Sequence, residues 1–218
     1  MLAALRPDLN QHLYLRDPQA TDLGRRLLAE SVRLLDDIGF EAFTFKKLAA
    51  VMNSTEASLY RYFENKHRLL LYLVSWHWAW LRFRVRVALH HVADPQQRLR
   101  LALAAVCEAS VDDPATPDFD EAALYRVVVA EASKAYLTKE VDADNRAGLF
   151  REHMELVAEL VGVVQAVSPR YAHPHALVST LLESARKQHF FARHLPSLSD
   201  GADQVPAFLT QLAFAALA

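Results

Sequence analysis

The chain has 218 residues, is 52% hydrophobic and carries a formal net charge of −2. That length and apolar content allow one sizeable core with room for a small second unit. A single cysteine, Cys107, excludes an intramolecular disulfide and a cysteine-based zinc site, and no apolar run approaches the ~18 residues that span a bilayer. Arg6, Pro7 and Asp8 interrupt the short Leu-Ala start, so no secretion signal is expected and a cytoplasmic location is the reading. Glycines number only five, and apolar residues recur at spacings of three and four. The expected fold class is all-α, with about nine helices.

Residues 1–20 show little periodicity and read as an N-terminal arm or a short preceding helix. A first long helix is predicted from Thr21 to Ile38, with Leu23, Leu27, Leu34, Leu35 and Ile38 inward and Gly39 ending it. Next comes TFKKLAAVMNSTEASLYRYFENK, Thr44 to Lys66. Thr44 is placed to cap a helix from Phe45 to Met52, with Leu48 and Val51 inward. Asn53 stands where a tight turn needs a residue tolerant of positive φ. Ser54 or Thr55 caps a second short helix, Thr55 to Tyr62, with Leu59 and Phe63 inward and Thr55, Glu56, Ser58 and Arg61 outward. This is a helix-turn-helix pattern, a form that places the start of its second helix in the DNA major groove.

A fourth helix is predicted from a cap at Asn65 to Val92. Leu69, Leu73, Trp76, Trp80, Phe83 and Val87 lie on one stripe, and Leu70, Val74, Trp78, Leu81 and Val85 on other faces, so the helix is expected to be buried. Asp94-Pro95 opens a fifth helix to Val111, Asp112 to Asp118 is a break, and a sixth helix covers Phe119 to Leu137. A seventh runs from Asp144 to Val167, an eighth from Pro174 to His194 and a ninth from Asp203 to Leu217. Leu177, Leu181 and Phe191 on the eighth helix, with Phe208 and Leu212 on the nearly uncharged ninth, give more apolar surface than one seam buries. They are candidates for a dimer interface, or for the chain's own core.

From Thr21 to Leu71 the chain resembles the DNA-binding domain of TetR-type transcriptional regulators. The residues that carry the resemblance are Ile38-Gly39-Phe40-Glu41-Ala42-Phe43-Thr44, Leu59-Tyr60-Arg61-Tyr62-Phe63 and Asn65-Lys66. It implies a three-helix DNA-binding domain over residues 21–66 and a helical regulatory and dimerisation domain over 67–218. It also implies a homodimer formed through the last two long helices, bound to a double-stranded operator. Thr44, Tyr60, Tyr62 and Lys66 match positions that contact the DNA backbone, where hydroxyls donate to phosphate and lysine neutralises it. Ser54, Thr55, Glu56 and Ser58 match the stretch near base edges. Lys46, with Lys47, adds positive charge beside the motif, and Arg61 completes the candidate set. The alternative for the tyrosines is packing of the small domain. Glu56 and Asn53 depart from the family pattern, and Glu56 opens a second reading, a dimeric sensor or adaptor without DNA binding.

Charge is uneven. Residues 1–91 hold 13 Lys+Arg against 9 Asp+Glu, and residues 92–218 hold 11 against 17. A mildly basic head on an acidic body suits a DNA-facing N-terminal part. For a small-molecule effector, Trp76 and Trp80 with Tyr125 and His153 are candidate lining residues, Trp78, Arg126 and Tyr136 being further possibilities, and plain core packing the alternative. The histidine pairs His173–His175, His90–His91 and His189–His194 lack the i, i+4 pairing with a carboxylate that marks a helical zinc site, so no metal and no cofactor is expected. No Gly-rich phosphate loop, G-x-S-x-G elbow or nucleophile–base pairing around Cys107 is present, and no enzymatic activity is expected.

Overall fold

A computed structural model describes residues 7–108 and 120–218. All regular elements among them are helical, in agreement with the apolar spacing. Besides four short 3-10 turns, the α-helices among the described residues are α1 (Asp22–Ala42), α2 (Phe45–Val51), α3 (Glu56–Leu59), α4 (Lys66–Ala88), α5 (Pro95–Cys107), α6 (Glu121–Glu131), α7 (Ser133–Tyr136), α8 (Val141–Arg146), α9 (Arg151–Val167), α10 (Pro174–His194) and α11 (Val205–Leu217). The eleven helices exceed the expected nine because two predicted helices are each divided. The expected seventh is interrupted between Arg146 and Arg151, where Gly148 takes the left-handed φ of 73°. The expected sixth is split at Ala132, whose own angles (φ −58°, ψ −31°) remain helical, so that break is slight. The predicted tail of the fifth helix to Val111, the break at Asp112 to Asp118 and the sixth helix's start at Phe119 lie outside the described residues.

The chain forms two compact units, one drawn from residues 1–80 and 110–152, the other from 81–109 and 153–218. In the first, α1 begins at Thr21, whose hydroxyl accepts from the Gly24 amide at 3.0 Å. Gly24 is required by a close approach: a Cβ there would lie 2.2 Å from the Pro18 carbonyl oxygen. Residues 7–20 of the arm are therefore folded against α1, and they bury Leu9, Leu13 and Pro18. The Leu15 amide donates to the Tyr62 carbonyl at 2.8 Å, which ties the arm to the end of the helix-turn-helix.

Helix α1 is regular up to Gly39, which takes φ 72°. The sequence predicts the stop, but one further helical turn follows to Ala42. The break releases the Phe40 amide from its helical partner, and that amide donates to the Glu131 carboxylate at 3.0 Å. Around it, Arg126 binds Asp36 through two nitrogens at 2.7–3.0 Å, and Lys134 bridges Glu131 (2.8 Å) and Glu41 (3.0 Å). Helix α6, with Lys134 of α7, thus packs against α1 and holds its last turns by charge.

In the second unit α5, α10 and α11 pack together and bury Leu99, Leu103, Val106, Leu181, Leu182, Leu209 and Ala213. Asp94 caps α5, accepting from the Gln97 amide at 2.7 Å. Arg86 pairs with Glu159 on α9, and Arg82 with Glu155. Burial predicted for Phe83 and Val87 is not found; they are 40% and 58% exposed. The buried edge at this end of α4 is Val85 and Leu89 instead, so the stripe has rotated around the helix. The helix also stops at Ala88 rather than Val92, and His91 beyond it takes φ 60°.

Candidate nucleic-acid interface

The helix-turn-helix is built by its caps. Thr44 Oγ1 accepts from the Lys47 amide at 3.2 Å and opens α2. Asn53 takes φ 49°, the turn conformation predicted for it. Thr55 Oγ1 accepts from the Ser58 amide at 3.3 Å and opens α3. Leu48, Leu59 and Phe63 are fully buried and hold the two helices together. Val51, expected inward, is 51% exposed. It is the last residue of α2, where the chain already turns, and the inward place there is taken by Met52. Helix α3 is a single turn ending at Leu59, shorter than the predicted span to Tyr62.

The structure sorts the candidate DNA-contacting residues into two groups. Tyr62 is 2% exposed, its hydroxyl 2.7 Å from Thr21 Oγ1, with the Arg16 guanidinium over its ring. Lys66 is half-buried, and its ammonium donates to the carbonyls of Phe40 (2.8 Å), Phe43 (3.1 Å) and Glu41 (3.3 Å). It collects the carbonyls left open where α1 ends, a favourable place for a cation. Lys47 does the same for Ala42 O at 2.8 Å. Tyr62 and Lys66 are committed to the fold of the head, whereas Lys47, though bonded, stays exposed.

The other group faces solvent. Thr44, Lys46, Thr55, Glu56, Tyr60 and Arg61 are exposed. Tyr60 packs its ring against Phe45 at a steep angle, centroids 4.9 Å apart, and is 47% exposed. Ser54 and Ser58 are half-buried and bonded to each other, their oxygens 2.7 Å apart, while Ser58 Oγ donates to the Thr55 carbonyl at 2.6 Å. Between Thr44 and Phe63 the charged residues are Lys46, Lys47, Arg61 and one acid, Glu56. A surface of hydroxyls and cations at a helix-turn-helix can bond phosphate oxygens, and its first α3 residues can reach base edges.

The candidate effector residues divide between the units. Trp76, Trp80 and Tyr125 are buried in the first; His153 is half-buried in the second. Sequence reasoning missed His77, which is 1% exposed with ring centroids 5.2 Å from Trp78 and 5.9 Å from both Trp80 and Tyr125. Its signal was available: a histidine between Trp76 and Trp78 inside an apolar helix. Burial, then the Arg186 charge, lowers the His153 pKa to about 4, so its imidazole is neutral at physiological pH. Burial pushes the Cys107 thiol up to about 12, which keeps it protonated and unreactive. Among the described residues no group of three or more His, Cys, Asp or Glu is arranged to hold a metal, and no helix is long and apolar enough to cross a membrane. Of the candidate dimer residues, Leu177 and Leu181 are buried within their own unit, Phe191 is half-buried, and Phe208 and Leu212 are 46% and 37% exposed.

Residues 27–73 match the sequence model of bacterial regulatory proteins of the tetR family. No curated protein sequence matches the chain. Several solved structures share its fold. A tetR-family regulatory protein from Rhodococcus RHA1 aligns with a TM-score of 0.64 at 16% identity, over 93% of this chain and 97% of that one. AibR in complex with isovaleryl coenzyme A and operator DNA aligns at 0.62 and 19%, over 86% and 97%. The ketosteroid transcriptional regulator KstR2 of Mycobacterium tuberculosis aligns at 0.58 and 16%, over 98% and 96%. The head thus matches the tetR family of bacterial regulatory proteins in sequence, and the chain shares the fold of solved regulators of that type.

Proposed function

We propose that the chain is a ligand-responsive repressor that binds a near-palindromic operator as a homodimer. The observation that carries this reading is the sorting of the head: Tyr62 and Lys66 build it, while Lys46, Lys47, Arg61, Tyr60 and Thr44 are left exposed on one short motif. Two such heads would enter successive major grooves about 34–36 Å apart. Phe208 and Leu212, exposed on an apolar terminal helix, support pairing of α10 and α11 with those of a second copy. The effector is a small molecule with an apolar body, and Trp76, Trp80, Tyr125 and His77 are proposed as part of its wall. AibR's complex with an acyl coenzyme A and operator DNA supports a regulator of this fold responding to a small organic ligand. The ligand acts by binding one head spacing better than the other, and shifts the equilibrium only by that difference.

The second reading, a dimeric sensor without DNA binding, is favoured by one observation, the exposed carboxylate of Glu56 on the motif's face. Site selection from random duplex DNA, followed by a salt titration of the selected site, separates the two. A repressor enriches a near-palindrome, and log affinity falls with log salt by about 0.9 per neutralised phosphate. Lys46→Ala and Arg61→Ala each reduce that slope by about one. A folded dimer that enriches no site establishes the sensor reading.

A further inference from the structure

Glu56 is the sole acid between Thr44 and Phe63, and it stands at the first position of α3. Its carboxylate is exposed and, among the described residues, has no hydrogen bond or ion pair. Its polar neighbours are in a different state. Ser58 has one hydroxyl proton and gives it to the Thr55 carbonyl, so the proton between the two serines belongs to Ser54. Both serine protons are spent within the motif. Thr55 accepts from the Ser58 amide and keeps one proton free. The start of α3 therefore offers a neighbouring groove a carboxylate, one hydroxyl proton and the Ala57 methyl.

A free carboxylate there has two possible surroundings. Against phosphate it is repelled. Against base edges it accepts from an exocyclic amino group. In the major groove cytosine presents its N4 amino group beside a carbon edge. Adenine presents its N6 amino group beside the N7 lone pair, which repels the second carboxylate oxygen. From this, and resting on the operator-binding reading above, we infer that Glu56 is a specificity-determining residue that reads a cytosine in each operator half-site.

The test is site selection with the full-length protein and with Glu56→Gln and Glu56→Ala, each checked for folding by circular dichroism. The wild type is expected to enrich one C·G position per half-site, with a loss of about 5- to 150-fold when that pair alone is changed. Glu56→Gln moves the preference at that position toward adenine, which an amide pairs through N6 and N7, and leaves the other positions unchanged. The alanine variant levels that position. Variants that keep the wild-type profile, or that bind every sequence more tightly by the same factor, overturn the assignment and make Glu56 a phosphate-repelling residue. A wild-type preference for adenine there also overturns it. A folded wild type that enriches no site removes the operator-binding reading, and the inference with it.

Discussion

Glu131 accepts a hydrogen bond from the Phe40 amide at 3.0 Å across 91 positions of the chain, at the point where Gly39 breaks α1. The left-handed Gly39 frees the amide, and α6 supplies the acceptor. Glu131→Ala leaves that buried donor without its partner and strips Lys134 of one of its two carboxylates. A loss of about 1–3 kcal/mol in unfolding free energy is expected. Glu131→Gln keeps a neutral acceptor and is expected to lose less. Denaturant unfolding of both variants measures the difference, and equal losses would show that the charge, not the amide acceptor, matters.

Lys66 is expected to be a structural residue before it is a DNA contact. Its ammonium holds three carbonyls at the end of α1, so Lys66→Met lowers thermal stability without any DNA present. The expected size is about 1–3 kcal/mol, since charged hydrogen bonds are removed and carbonyls left open. If Lys66→Met were as stable as the wild type but defective in binding, Lys66 would be assigned to phosphate alone.

The two tyrosines part in the same way. Tyr62→Phe removes the bond to Thr21 in a buried setting and is expected to cost about 1 kcal/mol of stability. Tyr60→Phe removes only an exposed hydroxyl and leaves the Phe45 contact, so stability is unchanged while operator affinity falls. Paired melting and DNA-binding curves on both variants give the comparison.

Acid sensitivity is expected from His153. Burial and Arg186 hold its folded pKa at about 4, below the ordinary 6.5. Between those values the unfolded chain binds the proton and the folded chain does not, so stability is full above pH 6.5 and falls as pH drops toward 4. His67 and His189 are also lowered by burial and add to the same trend. His153→Gln is expected to flatten part of the fall in melting temperature between pH 6.5 and 4. An unchanged profile would remove His153 as a contributor.

The features legible in the residues alone were local. Thr44, Asn53 and Asp94 specify caps and a turn through bonds spanning a few residues, and the structure has each of them; of Ser54 and Thr55 it uses Thr55 as the cap. Leu48, Leu59 and Phe63 follow from helical spacing, and Pro174 to His194 was legible to the residue because proline opens it and the periodicity is unbroken. The tertiary structure decided which polar groups remain available. Tyr60 and Tyr62 stand two residues apart with the same chemistry, yet one is turned to solvent and the other bonded to Thr21. Lys66 bonds the end of a helix more than twenty residues earlier, and Glu131 an amide 91 residues away. No local rule encodes such pairs, because a hydroxyl, an ammonium or a carboxylate has the same short-range preferences whether its partner is water, phosphate or a distant carbonyl. The fold brings the partner, and by doing so it separates the residues that build the head from those left exposed.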